Sequence, residues 1–283
     1  MPELPEVEVL VRHLEPLLKA KQIREVTVRR PKIVAPTSVK RFRQALRGAE
    51  FQGVRRRGKY LVFELSKQGR TLPLIGHLGM TGRMYLVPAK SALPKHSAVV
   101  LSLGRQDFLF EDTRYFGRLT LDTDTIKGLG PEPLGDDFNV AGFATQLKRS
   151  KQAIKIKLLD QSLVAGVGNI YASEALFVAQ IAPTMAARRL RAPQIERLWR
   201  AIRDVLAEAI ACGSTVPLNL DGQGTGDRLF YFGRAAGTAD FYEERLRVYD
   251  RAGKPCLRCG TPIRRIVQAA RSTFYCPKCQ VRR

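Results

Sequence analysis

The chain has 283 residues, 45% of them hydrophobic, with 48 Lys and Arg against 26 Asp and Glu and a net charge of +22. That length suits one large domain or two ordinary ones plus a small module, and the composition excludes a disordered chain. The basic excess points to a polyanionic partner, nucleic acid before an anionic membrane. No apolar run of about 18 residues and no signal-peptide core is present, so a cytoplasmic protein is expected.

The opening "MPELPEVEVL" begins an amphipathic pattern. Leu4, Val7, Val11, Leu14 and Leu18 recur at three- and four-residue spacing, with Glu8, Arg12, Glu15 and Lys19 on the other side. Pro5 suits the first turn of that helix, and Glu6 and Glu8 complement its dipole. Pro2 and Glu3 are therefore expected outside it, on a loop. If Met1 is removed, Pro2 carries a free secondary amine.

From about residue 23 to 125 the period becomes that of short strands: "IREVTVRR", "YLVFEL", "LPLIGHL", "AVVLSL", "DFLFED" and "RLTLD". Strands at this spacing predict a β-sandwich or barrel-like domain. In "RRRGKYL" (55–61), Lys59 directly precedes an apolar strand, where its side chain could be held at the sheet end or simply be solvated. "HLGMTGR" (77–83) and "DTRYFGR" (112–118) are turn-like segments with large side chains. Met80 and Phe116 are core positions by default. On a DNA-binding protein such residues instead serve as wedges, with Arg114 filling the space of a lost base. Residues 127–139, "KGLGPEPLGDDFN", lack periodicity and read as a linker.

Helical spacing then dominates, in "VAGFATQLKRS", "KQAIKIKLLDQ", "NIYASEALFVAQ" and "APQIERLWRAIRDVLAEAIA". Gly166-Val-Gly168-Asn169 lies between two of these stretches. It is either a phosphate-binding turn at a helix N-terminus or a tight turn with Asn169 as N-cap. Cys212, at a helix end, is expected to be a buried structural thiol. Residues 214–247 are Gly-rich in their first half and carry no clear period. Cys256, Cys259, Cys276 and Cys279 form two CxxC pairs sixteen residues apart, a spacing that suits one structural zinc ion. Two disulfides are the alternative, but no secretory signal supports an oxidising compartment. Between the pairs, "PIRRIVQAARSTFY" predicts a β-hairpin with Arg271 at its tip, able to reach a phosphate or to hang in solvent. Three histidines (His13, His77, His96), no HExxH and no GxxxxGK[ST] argue against a nucleotide cofactor or a histidine-bound metal.

"PELPEVE", "RRGKYL", "HLGMTGR", "DTRYFG", "LGPEPL", "GVGNIYASEALF" and "CxxC…RSTFYCPKC" occur together and in this order. Jointly they closely resemble the formamidopyrimidine-DNA glycosylase family. "PELPEVE" with "LGPEPL" favours this branch over the endonuclease VIII branch. The resemblance implies an α+β multidomain fold: an N-terminal catalytic β-sandwich with a leading helix (1–126), a linker (127–142), a helix-two-turn-helix domain with a lid loop (143–249) and a four-cysteine zinc finger (250–283). It implies Pro2 as the nucleophile, Glu3 as the acid/base partner, Glu6 as a supporting acid and Lys59 as the lysine on the phosphates beside the lesion. It further implies Asn169, Arg271 and His96 as backbone contacts. Met80, Arg114 and Phe116 would fill the space left by a flipped base. The implied partner is duplex DNA with oxidised bases or abasic sites, handled by a monomer in the bacterial cytoplasm, at the nucleoid. One segment departs: Cys212 stands for the first Gly of the usual "GG[ST]T" helix end, and the lid that follows is longer and altered. That leaves lesion preference open.

Overall fold

In the computed structural model, which describes residues 2–213 and 246–281, the chain forms two compact units. Pro2 clusters with Glu6–Lys127, and Glu3–Pro5 with Gly128–Cys212 and the described residues from 246 onward.

The first unit holds most of α1 (Leu4–Leu18), then β1 (Glu25–Val28), the short helices α2 (Pro31–Val34) and α3 (Val39–Leu46), and seven further strands. These are β2 (Glu50–Arg57), β3 (Tyr60–Lys67), β4 (Arg70–His77), β5 (Gly82–Pro88), β6 (Ser97–Ser102), β7 (Gln106–Asp112) and β8 (Arg118–Thr120), with α4 (Asp124–Lys127) closing the unit. The strands make two four-stranded sheets, ordered β1-β6-β7-β5 and β2-β3-β4-β8, and every pairing is antiparallel. Phe51 and Phe63 of one sheet meet Phe108 of the other edge to face, with centroids 5.6–6.3 Å apart. Each such ring stabilises the sandwich by about 2–3 kcal/mol on burial. Val7, Val11, Leu14 and Leu18 seat α1 on the same core, as their spacing predicts.

Two strands are missing from the sequence-based reading. In β2 the run Arg55–Arg57 hides the alternation, and the register shifts between Phe51 and Gly53. In β5 a short "GRMYLVP" follows directly on a turn-like segment.

The second unit packs α5 (Val140–Lys148), α6 (Ile154–Leu158), α7 (Asn169–Val178) and α8 (Ala192–Gly213) around Leu4, Phe138, Leu158, Leu176 and Leu198. Residues before α5 are fastened rather than loose. Trp199 Nε1 donates to the Phe138 carbonyl at 2.7 Å, and Arg203 donates to the carbonyls of Pro133 and Gly135, each at 3.0 Å. The helix expected from "KQAIKIKLLDQ" shrinks to the five residues of α6. Ala153 pairs with Ala186, and the Ile154 N–H goes to the Met185 carbonyl, so the preceding residues are not helical. β9 (Arg264–Gln268) and β10 (Arg271–Tyr275) form the expected hairpin. No helix among the described residues is long and apolar enough to cross a membrane. Cys212 is half-buried rather than buried, because the last turn of α8 extends beyond the apolar stripe that ends at Ile210. The lid expectation falls on residues outside those described.

Candidate functional site

In the second unit, Glu3 precedes α1 and its side chain is buried. Its carboxylate accepts the Ile170 N–H at 2.8 Å and the Tyr171 N–H at 3.3 Å, in the first turn of α7. The N-cap residue itself is Gly168, with no side-chain cap. A Cβ on Gly168 would lie 2.5 Å from Glu3 Oε1, and one on Gly166 (φ +88°) would lie 2.7 Å from Leu4 Cβ. The two glycines therefore let the Glu3-Leu4 segment approach, and the Ile170 and Tyr171 N–H groups of α7 are taken by a protein carboxylate. The N-cap reading of Asn169 is corrected, since Gly168 takes that position.

Asn169 instead faces β10. Its Nδ2 donates to the Ser272 carbonyl at 3.0 Å, and its Oδ1 accepts from Lys155 Nζ at 2.6 Å. Lys155, fully buried on α6, also donates to the Ser272 carbonyl and to Thr273 Oγ1, each at 2.9 Å. Burial pushes its pKa down to about 8; the Glu3 carboxylate opposes this and the Arg271 charge adds to it. Lys155 thus ties Asn169 to the strand that starts at Arg271. Arg271 is exposed and follows a two-residue turn, Ala269-Ala270, with φ +46° and +58°.

The four cysteines converge. Their Sγ atoms all lie within 4.8 Å of one another, with Cys259–Cys276 at 3.5 Å and Cys256–Cys279 at 3.9 Å. Tetrahedral zinc with Zn–S bonds of about 2.3 Å needs sulfur separations near ~3.8 Å, so the cluster suits one structural zinc ion.

Glu174 on α7 anchors the segment entering this module. Its carboxylate accepts the successive N–H groups of Arg247, Val248 and Tyr249 at 2.8–2.9 Å. Burial pushes its pKa up against those three bonds and the Arg247 charge. Glu174→Ala strands three donors, and urea denaturation is expected to show a loss of about 2–4 kcal/mol. Unchanged stability would mean that water replaces the carboxylate.

In the first unit, Lys59 is buried in the turn between β2 and β3, beside Gly58 at φ +57°. Arg56 Nη1 donates to the Gly58 carbonyl at 3.2 Å, and its Nε donates to Glu8 of α1 at 2.9 Å. His77 pairs with Tyr60 across β3 and β4, and the two rings lie 4.7 Å apart; His77 Nδ1 accepts the Gly79 N–H at 3.1 Å. Burial, then the charges of Lys59 and Arg118, pushes the His77 pKa down to about 4. The folded value lies below the ordinary one. Its contribution is therefore complete above about pH 6.5 and is lost as pH falls towards 4, to the extent of about 3 kcal/mol. The stability gap between wild type and His77→Asn, followed by urea melts, is expected to close over that window; a constant gap would contradict it. Pro2 and Glu6 are both buried in this unit.

Met80 is 40% and Phe116 54% exposed, so the core reading of these two residues is overturned. Arg114 stacks on Phe116, with Cζ 4.9 Å from the ring centroid. His96 Nδ1 lies 3.1 Å from Tyr115 Oη, and the Arg30 guanidinium lies over the Tyr115 ring, 4.8 Å from its centroid.

A family model for the formamidopyrimidine-DNA glycosylase N-terminal domain matches residues 1–119, one for its H2TH domain matches 129–218, and one for a zinc finger found in FPG and IleRS matches 253–281. The formamidopyrimidine-DNA glycosylase of Desulfitobacterium hafniense is 43% identical over 288 residues, covering 99% of this chain and all of its own. The chain belongs to the formamidopyrimidine-DNA glycosylase family. The Listeria innocua member is 39% identical with the same coverage. Among solved structures, the Lactococcus lactis family member bound non-covalently to abasic-site DNA is similar with a TM-score of 0.85 and 33% identity. It covers 99% of this chain and 100% of its own. A MutM complex with DNA carrying carbocyclic 8-oxo-G aligns with a TM-score of 0.86, 34% identity and the same coverage.

Sequence reasoning missed Lys155, Glu174, Asp112 and the environment of His77. Lys155 had a signal: it sits between Ile154 and Leu158, both buried, in a five-residue helix. The partners of Glu174 come from 73 residues or more away, and Asp112 joins neighbours at 114 and 117 to Thr81, 31 residues off, so no local pattern marks either.

Proposed function

We propose that the protein is a bifunctional DNA glycosylase and abasic-site lyase that removes oxidised purines, 8-oxoguanine and formamidopyrimidines, from duplex DNA. Pro2, freed of Met1, attacks C1′ of the damaged nucleotide. The base leaves with the glycosidic electron pair and takes up a proton. Ring opening of the sugar gives an iminium on Pro2, which acidifies the C2′ proton. Its loss expels the 3′ phosphate, and a second elimination expels the 5′ phosphate. A terminal amine with an ordinary pKa of about 7.7–8.0 keeps a useful fraction, roughly a tenth, as free base at neutral pH, where a lysine near ~10.4 keeps almost none.

The observation that carries this reading is the anchoring of Glu3, the residue next to Pro2. A carboxylate held by two backbone N–H groups keeps a fixed place, as proton transfer at the sugar requires. Glu6 supports it, and Lys59 holds the phosphates flanking the lesion. Asn169, Arg271 and His96 grip the backbone. Met80, Arg114 and Phe116 fill the gap left by the extruded base. The catalytic domain spans 1–126, the linker 127–142, the helix-two-turn-helix domain 143–249 and the zinc finger 250–283. The relatives crystallised with 8-oxo-G, formamidopyrimidine and abasic-site DNA support the substrate class.

The test is a panel of duplexes carrying 8-oxoguanine opposite cytosine, thymine glycol or an abasic site. Cleavage of the first at least about 10-fold faster than the second is expected, with β,δ-elimination products from the third. A preference for thymine glycol would assign an endonuclease VIII-like specificity. Salt-dependent binding without cleavage would leave a zinc-ribbon DNA-binding protein.

A further inference from the structure

The side chains of Met80, Arg114 and Phe116 come from two loops that are far apart in sequence, yet one carboxylate serves both. Asp112, the last residue of β7, is fully buried. Its Oδ1 accepts the Thr81 hydroxyl at 2.6 Å and the Arg114 N–H at 3.1 Å, and its Oδ2 accepts the Gly117 N–H at 2.7 Å. The Thr81 oxygen also lies 3.2 Å from the Arg114 N–H and accepts from it. Asp112 and Thr81 therefore bridge residue 81, beside Met80, to residues 114 and 117, which bracket Phe116. The backbones touch as well: a Cβ on Gly79 (φ +63°) would lie 2.6 Å from Gly117 N and 2.7 Å from the Phe116 carbonyl carbon. Between Arg114 and Phe116, Tyr115 is held at φ +54°, a conformation that a bulky residue adopts at a cost of about 1 kcal/mol or more. Its ring is fixed by Arg30 and its hydroxyl by His96.

We propose that Asp112 and Thr81 are positioning residues that lock the Met80 loop and the Arg114–Phe116 loop into one rigid insert, so that the three side chains enter the duplex together. This rests on the proposed role of those side chains. Driving an apolar residue between stacked bases loads the loop that carries it. A loop free to yield dissipates that load, and one braced by a neighbouring loop does not. A lesion base must be unstacked before it is excised, whereas an abasic site has no base to extrude. The brace should therefore matter more for the first substrate than for the second.

Thr81→Val keeps the shape and removes the hydroxyl; Thr81→Ser keeps the hydroxyl. Single-turnover rates on 8-oxoguanine and on preformed abasic duplexes separate positioning from folding. Thr81→Val is expected to slow base excision by about 10-fold and abasic cleavage by less than about 3-fold, the size of one lost hydrogen bond to a charged group. Thr81→Ser is expected to restore both rates. Asp112→Asn should show the same split, more strongly, in whatever fraction remains folded. Equal losses on both substrates, or no loss on either, would overturn the proposal. Met80→Ala and Phe116→Ala serve as the control. If they show the split and Thr81→Val does not, the brace fails while the wedge reading stands. If neither control shows it, the wedge reading fails first.

Discussion

Blocking the Pro2 amine is expected to abolish base excision and abasic-site cleavage together while leaving DNA affinity within about 3-fold of wild type. A version that retains Met1 buries the nitrogen in a peptide bond, where it is neither basic nor nucleophilic. The loss in single-turnover rate should reach about 10³-fold or more on both substrates, because both share the covalent step. Pro2→Gly should be less severe. It restores a terminal amine of similar basicity, but a primary one without the ring that fixes its direction. Glu3→Gln differs again. It removes the proton carrier and one acceptor at the start of α7, so it should lower the rate by about 10²–10⁴-fold and the stability by about 1 kcal/mol. Parallel loss of rate and affinity in the Met1-retaining form would contradict the assignment, since it would mark Pro2 as a binding residue.

Removing zinc should have the second large effect. The module from about residue 246 supplies five buried core residues, Val248, Cys256, Ile263, Phe274 and Cys276, packed with Phe177 of α7, and two of the five are metal ligands. So small a core does not hold a fold without a crosslink or a metal. Chelation is expected to release one equivalent of zinc and to unfold the β9–β10 hairpin. The Lys155 contacts to Ser272 and Thr273 go with it, as does the Gln280 bond to the Ile181 carbonyl. Arg271 would then lose its place, and DNA affinity should fall by about 10²-fold or more, recovering when zinc is returned. Retained affinity after complete zinc release would separate the module from binding. The helices should persist, because the core around Phe138, Leu176 and Leu198 contains no cysteine.

Much of this arrangement is legible in the sequence, for reasons that differ by element. The first helix and the sandwich strands follow from hydrophobic period, and they hold because Val7, Leu14, Phe63 and Phe108 are all buried. The cysteine cluster follows from spacing, since four thiolates at CxxC intervals converge around a metal. The glycines at 166 and 168 are visible as a special turn, but not what they approach. Glu3 lies 167 residues from Ile170, and nothing local to either names the other. Asp112 illustrates the same limit. In sequence it is one acid at a strand end; in the fold it collects donors from residue 81 on one side and residues 114 and 117 on the other. The exposure of Met80 and Phe116 also runs against the default for large apolar residues, and only the motif around them pointed outward. Local chemistry reads from the chain, while long-range partnerships appear only once it is folded.

In the proposed mechanism the amine of Pro2 forms the covalent bond to DNA. The most direct test is borohydride reduction during reaction with an 8-oxoguanine duplex, followed by digestion and mass mapping of the adduct. A single crosslink is expected, on the N-terminal peptide at Pro2, absent from the Met1-retaining form and preserved in Lys59→Met at reduced yield. A crosslink on Lys59 or on any other lysine, with Pro2 unmodified, would contradict it.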